Sequence, residues 1–468
     1  MKMEEIQKTQ EVEKQTKLSL REKIAYGLGD TGYNFMFDLG QIYLLKFYTD
    51  VLGLPAAAAG LVFLLTKVVD GVSDIVVGTI VDSRRKIGPR GKFRPFILYG
   101  TAPLILITVA VFTTPDFTLT GKMIWAYVTY ILFTTIYTIS NIPYGSMMPA
   151  MTKDPLERAQ LSSFRIGGQN LGLLITSVAF IPIVLKFSDI SIGYMVGATI
   201  FAVLGGILNL YMYANVKERY IYVKPKEEKT SLKKSYGQIF KNSPLLILSL
   251  LNLFMFSAYN MKLGVQVYFS EYNLNDISIV PYLGFFQIGF VFLAIPLVPV
   301  LVKKIGKKGT YILGAVIWAI ADISAYFFAN SAVSFIGFAS LAFFGSGFIN
   351  TLNWLLITDC VEYGEWKTGI RGEGVVYSFY TFCRKLSQAL AGFIPGLVLT
   401  FVGYVPNVEQ TARSLSGIRF LMFVYPASLA IVSAIVMYFF YILNEKRTAR
   451  VFDELKVRHQ NSTDRYLK

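Results

Sequence analysis

The sequence has little of what covalent or metal chemistry requires. Its 468 residues include one histidine, His459, and two cysteines, Cys360 and Cys383. Two cysteines cannot build a disulfide scaffold, and a zinc site needs about four His, Cys or carboxylate ligands. A Ser-His-Asp or Cys-His mechanism would have to recruit the histidine ten residues from the end. Any chemistry therefore falls to carboxylates, Lys, Arg, amides and hydroxyls, and no cofactor is expected.

Charged residues are also scarce. They make up 16% of the chain, whereas hydrophobic residues make up 54% and the mean hydropathy is +0.49. A soluble domain carries about 25% charged residues, because these cover its water-facing surface. This composition indicates a membrane protein.

The net charge of +15 is distributed in a way that argues against a nucleic-acid partner. Basic residues cluster in short runs between apolar blocks, at 84–94, 217–241, 303–308 and 446–458. The intervening loops 113–122 and 404–410 carry almost no positive charge. This alternation is the positive-inside pattern that orients helical membrane proteins, so the charge reports topology.

Twelve apolar segments are long enough to cross a bilayer, which requires about 20 residues per helix. They lie near 24–52, 56–82, 96–114, 122–148, 163–186, 190–213, 245–270, 281–302, 309–328, 332–358, 375–402 and 417–443. An even number of spans and the basic runs predict that both termini are cytoplasmic in a bacterial plasma membrane. The polar first 20 residues are not a signal peptide.

The chain divides into two halves of six spans. We predict a tail at 1–20, a first six-helix bundle at 21–214, a cytoplasmic linker at 215–243, a second bundle at 244–443 and a tail at 444–468. The basic, glycine-containing turn at 81–88 has a counterpart at 302–308, after the eighth span. Such a repeat predicts pseudo-symmetric halves with a binding site between them, although any tight cytoplasmic turn favours Gly and Lys.

Ionisable groups inside the second span are the strongest functional signal. Asp70 and Asp74 are four residues apart, hence on one helix face and about 6 Å apart at Cβ, and Ser73 and Lys67 lie beside them. Two such carboxylates could coordinate a small cation or share one proton. The alternative is a buried Lys–Asp ion pair that fixes helix packing, but paired acids are a poor way to stabilise a bilayer helix.

Two other spans carry groups that suit a sugar. The first contains Tyr33, Asn34 and Asp38, and the fourth contains Thr138 and Asn141. Amides, hydroxyls, a carboxylate and aromatic rings match vicinal sugar hydroxyls and ring faces. Ordinary helix-bridging polar residues would give much the same pattern.

Charges near the eleventh span have two interpretations. Of the adjacent Arg384 and Lys385, at most one faces a central cavity, and the other could extend to the membrane interface. Between spans ten and eleven we expect a short loop that acts as a cytoplasmic gate, with Arg165 and Asp82 as candidate partners. Its charged residues are Asp359, Glu362, Glu365, Arg371 and Glu373.

Several ordered motifs resemble the glycoside–pentoside–hexuronide:cation symporters, a branch of the major facilitator superfamily that includes the melibiose, glucuronide and isoprimeverose carriers. The resemblance covers about residues 20–445 and is closest to the glucuronide-type members. It depends on Tyr48-Thr49-Asp50-Val51, Asp70-x-x-x-Asp74, Gly91-Lys92-Phe93-Arg94-Pro95, Asn141-Ile142-Pro143-Tyr144-Gly145-Ser146 and Asp359-x-Val361-Glu362-Tyr363-Gly364-Glu365.

The resemblance implies a set of site residues. Asp70, Asp74, Ser73 and Thr138 match the cation site of the melibiose carriers, with Ser73 in place of an Asn, which favours proton over sodium coupling. Asn34 and Asn141 replace the family's two sugar-binding acids, and Gly145 replaces a Trp. Arg165 and Lys385 match the family's Arg and Lys, Lys67 matches an Arg, and Asp38 has no clear counterpart.

The resulting hypothesis is secondary active import of a glycoside, either a glucuronide or a xyloside such as isoprimeverose, by symport with a proton or, alternatively, sodium. Two other classes stay open. One is a membrane enzyme or flippase acting on glycolipids, for which the chain offers no catalytic motif, and the other is a sugar sensor that does not transport. The sequence leaves the oligomeric state open.

Overall fold

The computed structural model describes residues 17–83, 88–152, 154–220, 239–369 and 373–466. Within these ranges the chain is built from helices, with a single bridge between Gly88 and Gly91. We label the long helices in chain order. They are α1 (Leu20–Ile42), α2 (Ala56–Ser83), α3 (Arg94–Val111), α4 (Leu119–Met151), α5 (Pro155–Val184), α6 (Ile190–Asn215), α7 (Ser243–Tyr268), α8 (Val280–Ala294), α9 (Leu297–Phe328), α10 (Ala332–Thr368), α11 (Glu373–Phe401), α12 (Tyr425–Phe440) and α13 (Glu445–Tyr466).

Helices α1 to α12 correspond to the twelve predicted spans. Among the described residues, nine helical stretches are long and apolar enough to cross a membrane. Helices α1, α2 and α11 are not among the nine, although they have 23, 28 and 29 residues. These three helices carry the intramembrane charges on which the sequence prediction depends, such as Asp38, Asp70 and Lys385.

Several boundaries differ from the predicted ones. Helix α9 begins at Leu297, twelve residues before the predicted span at 309–328, and Gly306, with φ 78°, interrupts its helical conformation within the predicted basic turn. Helix α10 continues ten residues beyond the predicted span, through the charged stretch that we expected to be a loop, and ends at Gly369 with φ 72°. Cys360, Val361 and Tyr363 in this extension are buried in an apolar cluster, which favours the helical continuation. The C-terminal tail is also helical, as α13, and Val451 and Leu455 are buried on one of its faces.

Within the described ranges, three short π-helical segments adjoin the long helices. They comprise Phe47–Val51 after α1, Phe269–Asn273 after α7 and Phe420–Val424 before α12. Such segments are rare and frequently lie at functional positions.

The chain separates into two compact units. The first comprises residues 1–40 and 68–228, and the second comprises residues 41–67 and 229–468. The second unit therefore includes the end of the first span and the beginning of α2, which the sequence division had assigned to the first bundle.

Small residues bring helices very close together in the first unit. A Cβ at Gly32 of α1 would lie 2.5 Å from the carbonyl oxygen of Gly205 in α6, and the reverse distance is also 2.5 Å. A Cβ on Gly168 of α5 would clash with the carbonyl oxygen of Gly27 in α1, and Thr31 donates a hydrogen bond to the Gly168 carbonyl at 2.9 Å. Close backbone approach through Gly is a common way to pack membrane helices, and it fixes the register of α1 against α5.

Candidate functional site

Asp70 and Asp74 converge on one hydroxyl group in the first unit. The Thr138 hydroxyl of α4 lies 3.1 Å from Oδ1 of Asp70 and 3.2 Å from Oδ1 of Asp74. Asp70 and Thr138 are buried, and Asp74 is half-buried. The structure therefore brings together three of the four residues predicted to bind the cation.

The fourth residue of the predicted cation site, Ser73, makes a hydrogen bond within its own helix. Its hydroxyl donates to the backbone carbonyl of Asp70 at 2.9 Å, within the same helix. Among the described residues, no group of three or more His, Cys, Asp and Glu side chains is arranged to hold a metal ion. Two carboxylates and a hydroxyl supply oxygen atoms that can hold a proton or a small monovalent cation.

The predicted sugar-binding residues of α1 and α4 lie close to each other. Tyr33 is fully buried, and its hydroxyl contacts the Ser140 hydroxyl at 2.6 Å. The Asn34 amide donates to the Asp30 carbonyl at 2.8 Å. Asn141 is half-buried on α4. Asp38 is buried, and its Oδ2 accepts no hydrogen bond from the residues that the structure describes.

Arg165 of α5 pairs with an acid that the sequence analysis did not identify. Its Nε lies 3.5 Å from Oδ1 of Asp30, and the two side chains are 34% and 6% exposed, respectively. The guanidinium lies over the Tyr144 ring, 5.2 Å from its centroid. Nη1 is 3.4 Å from the position that a Cβ on Gly145 would take. Asp30, Asn34 and Asp38 are spaced by four residues and therefore share a helix face. This spacing is the sequence signal that would have placed Asp30 among the predicted site residues.

The basic residues of the second unit have different environments. Lys67 is buried on α2, and Lys385 is half-buried on α11. The Arg384 guanidinium stacks on aromatic rings, 4.1 Å from the Phe256 centroid and 5.7 Å from that of Trp354. Both contacts are cation–π interactions, and they stabilise the position of the Arg384 side chain within the second unit.

The acids predicted to form a gate are only partly described. Asp359 accepts two hydrogen bonds from the Lys307 ammonium of α9, at 2.6 and 2.9 Å. Glu362 is half-buried and Glu365 is buried, both on α10. Arg371 lies outside the described residues, as do the side chains of Asp82 and Glu373. The gating role stays a prediction.

Sequence reasoning missed a polar cluster in the second unit, built around the Thr49-Asp50 motif. Lys46 lies 2.5 Å from a carboxylate oxygen of both Asp50 and Glu271. Asp50 also accepts hydrogen bonds from Tyr272 at 2.5 Å and from Tyr404 at 2.6 Å. The cluster ties the first and second π-helical segments to the loop after α11.

A second missed feature is a fully buried ion pair. Lys262 of α7 and Asp322 of α9 are in direct contact, and both side chains are completely inaccessible. Trp318 donates to Oδ2 of Asp322 at 2.7 Å. Both residues are ionisable groups inside predicted spans, but their pairing over 60 residues depends on the tertiary fold.

Residues 25–445 match the family described as MFS/sugar transport protein. The chain belongs to this family. The transporter is 49% identical over 442 residues to a protein of Escherichia coli K12 named as a candidate sulfoquinovose importer, a match that covers 94% of this chain and 95% of that protein. It is 47% identical to a candidate 2,3-dihydroxypropane-1-sulfonate exporter of Salmonella typhimurium, covering 94% of this chain and 97% of the relative.

More distant matches agree with the family. The transporter is 35% identical to a glucuronide carrier homologue of E. coli K12, covering 96% of this chain and 98% of that protein. The solved structure of the nucleoside transporter NupG superimposes with a TM-score of 0.64 at 13% identity, covering 90% of this chain and 98% of that one. These findings confirm the predicted all-helical fold of the major facilitator type and the resemblance to sugar symporters.

Proposed function

We propose that the transporter couples the uptake of an anionic sugar to a cation gradient, with a proton as the preferred coupling ion. The convergence of two intramembrane carboxylates on the Thr138 hydroxyl carries this proposal. Ionisable groups inside a bilayer are costly, so they are retained mainly for transport or proton transfer. The replacement of the family's Asn by Ser73, whose hydroxyl is engaged by its own helix, favours a proton over sodium.

Arg165 supports an anionic substrate. Its side chain is 34% exposed, and its Nη1 lies 3.4 Å from the position that a Cβ on Gly145 would take. Guanidinium groups bind carboxylates and sulfonates through two parallel hydrogen bonds. Asn34 and Asn141 add uncharged amides where the resemblance places acids in other members, so they would not repel an anion. The names of the relatives include two sulfonates and a glucuronide.

The proposal also covers the direction of transport and the membrane in which the protein lies. The relatives include a named importer and a named exporter at similar identity. We infer import because an inward proton gradient drives symport inward. The basic runs favour a bacterial plasma membrane with both termini in the cytoplasm. No catalytic step is required of any residue.

A counterflow panel tests the substrate class. Purified protein in liposomes is loaded with unlabelled sulfoquinovose, a glucuronide, isoprimeverose or an α-galactoside, and exchange with labelled sugar is followed while pH and sodium are varied independently. We expect exchange with the two anions and stimulation by acid pH, not by sodium. Exchange confined to isoprimeverose would favour the second candidate, a neutral xyloside, to which Asn34, Asn141 and Tyr33 would be suited. No exchange with any sugar would refute transport.

A further inference from the structure

Asp30 is a buried carboxyl that faces Arg165, the proposed anion-binding group of the transporter. It is 5% exposed, and its Oδ1 is 3.5 Å from Nε of Arg165. The close approach of α1 and α5 at Gly27 and Gly168 places the two side chains side by side. Since the backbones are already in contact there, Asp30 cannot withdraw from Arg165 by a movement of the helices apart without losing that packing.

Once an anionic sugar is bound, the Arg165 guanidinium interacts with two negative groups, the Asp30 carboxylate and the anionic group of the sugar. Asp30 lies at the Nε edge of Arg165, whereas Nη1 lies beside Gly145, and the Arg165 side chain is 34% exposed. A carboxylate or sulfonate at the terminal nitrogens would bring a second negative charge within a few ångströms of Asp30. Like charges in a poorly hydrated region repel strongly, and such pairs relieve the repulsion by taking up a proton.

We propose that Asp30 is a second proton-binding group of the transporter, which takes up a proton when the anionic group of the sugar binds Arg165. The inference rests on the proposed anionic substrate. It assigns a proton to the sugar site itself, separate from the Asp70–Asp74 pair. Binding linkage is reciprocal, so protonation of Asp30 strengthens anion binding to the same extent that the anion strengthens protonation.

The other groups around this pair do not titrate in the same range, with one exception. Tyr26 and Tyr33 on α1 and Tyr137 and Tyr144 on α4 are phenols, which ordinarily ionise near pH 10. All four interact electrostatically with Asp30. Asp38 is the exception, because it is a second carboxyl two helical turns from Asp30 and acts electrostatically on Tyr137. An Asp38→Asn variant therefore belongs in the experiment.

The test is the pH dependence of binding by the intact transporter in nanodiscs. Affinities for sulfoquinovose and for glucuronate are measured by calorimetry between pH 5.5 and 8, as probes of the two anion types. Uptake of one proton changes the affinity by up to about tenfold per pH unit. We expect the wild type to bind more tightly as the pH falls, and Asp30→Asn to lose the part of that pH dependence that corresponds to one proton, leaving only the part linked to the Asp70–Asp74 pair. Asp30→Glu should restore the slope.

Controls distinguish the alternatives. Asp189→Asn, at the start of α6, keeps a good N-cap residue and should leave the slope unchanged. A slope that is undiminished in Asp30→Asn, and that is lost completely in Asp38→Asn or Asp74→Asn, would overturn the proposal. An Asp30→Asn protein that no longer binds either anion would also overturn it, since the variant removes a charge that competes with the ligand. If the wild type binds neither anion, the proposed substrate class is wrong and the inference falls with it.

Discussion

The buried Lys262–Asp322 pair allows a quantitative prediction. Both side chains are inaccessible, and the Asp322 carboxylate also accepts the Trp318 indole N–H at 2.7 Å. Replacing Lys262 by Met keeps the length of the side chain but leaves a buried carboxylate with a single neutral donor. Breaking a buried ion pair in this way costs about 3–5 kcal/mol of unfolding free energy.

Removing both charges of the Lys262–Asp322 pair should lower the free energy of unfolding less than removing the Lys262 charge alone. The double variant Lys262→Met with Asp322→Leu leaves the Trp318 N–H without its acceptor, a penalty of about 1–3 kcal/mol, and removes the long hydrogen bond of Lys262 to the Met422 carbonyl, as Lys262→Met alone also does. The double variant should therefore be more stable than Lys262→Met alone, by about 2 kcal/mol from these two ranges.

The assay is unfolding of the purified protein in mixed micelles by titration with SDS, followed by circular dichroism, for the wild type, both single variants and the double variant. A matched Lys308→Met variant controls for loss of a half-buried lysine side chain, because Lys308 donates to a backbone carbonyl at 3.0 Å and lies over the Tyr438 ring, 5.8 Å from its centroid. A double variant that is no more stable than Lys262→Met would refute the reasoning that the uncompensated Asp322 charge causes most of the loss of stability.

Two further predictions concern packing and the Lys46 cluster. Gly168→Ala forces a Cβ into the Gly27 carbonyl, so we expect lower thermal stability together with weaker sugar binding; unchanged stability would show that α1 and α5 can separate freely. Lys46→Met leaves the carboxylates of Asp50 and Glu271 without their shared cation, so we expect it to melt at a lower temperature than Glu271→Gln, and the opposite order would contradict the described geometry.

The sequence predicts the helices of this protein well because each bilayer-spanning helix satisfies its own backbone hydrogen bonds. Hydropathy therefore locates most of the helices α1 to α12 to within several residues, although α9 begins twelve residues before its predicted start, at Leu297. The charged end of α10 and the helix α13 are polar enough to be interpreted as loop and tail. Their helical form depends on burial of residues such as Tyr363 and Leu455 in the second unit, which no local pattern reveals.

The candidate site was predictable where its residues share a helix face or match a family motif. The spacing of Asp70 and Asp74 predicts that they act together, and Thr138 was predicted from the resemblance to the melibiose carriers. Asp30 was missed because its significance comes from Arg165, which is 135 residues away and reaches it only through the contact of α1 with α5. Lys262 and Asp322 were missed for the same reason.

The central claim is that Asp70 and Asp74 couple a cation to sugar movement. It is tested most directly by Asp74→Asn in proteoliposomes, comparing uptake driven by a pH gradient with counterflow of the same sugar, and Asp276→Asn is a surface control because its carboxylate caps a short turn. We predict that Asp74→Asn loses accumulation against a gradient while sugar exchange persists. Undiminished uphill uptake in Asp74→Asn would contradict the assignment of the coupling site.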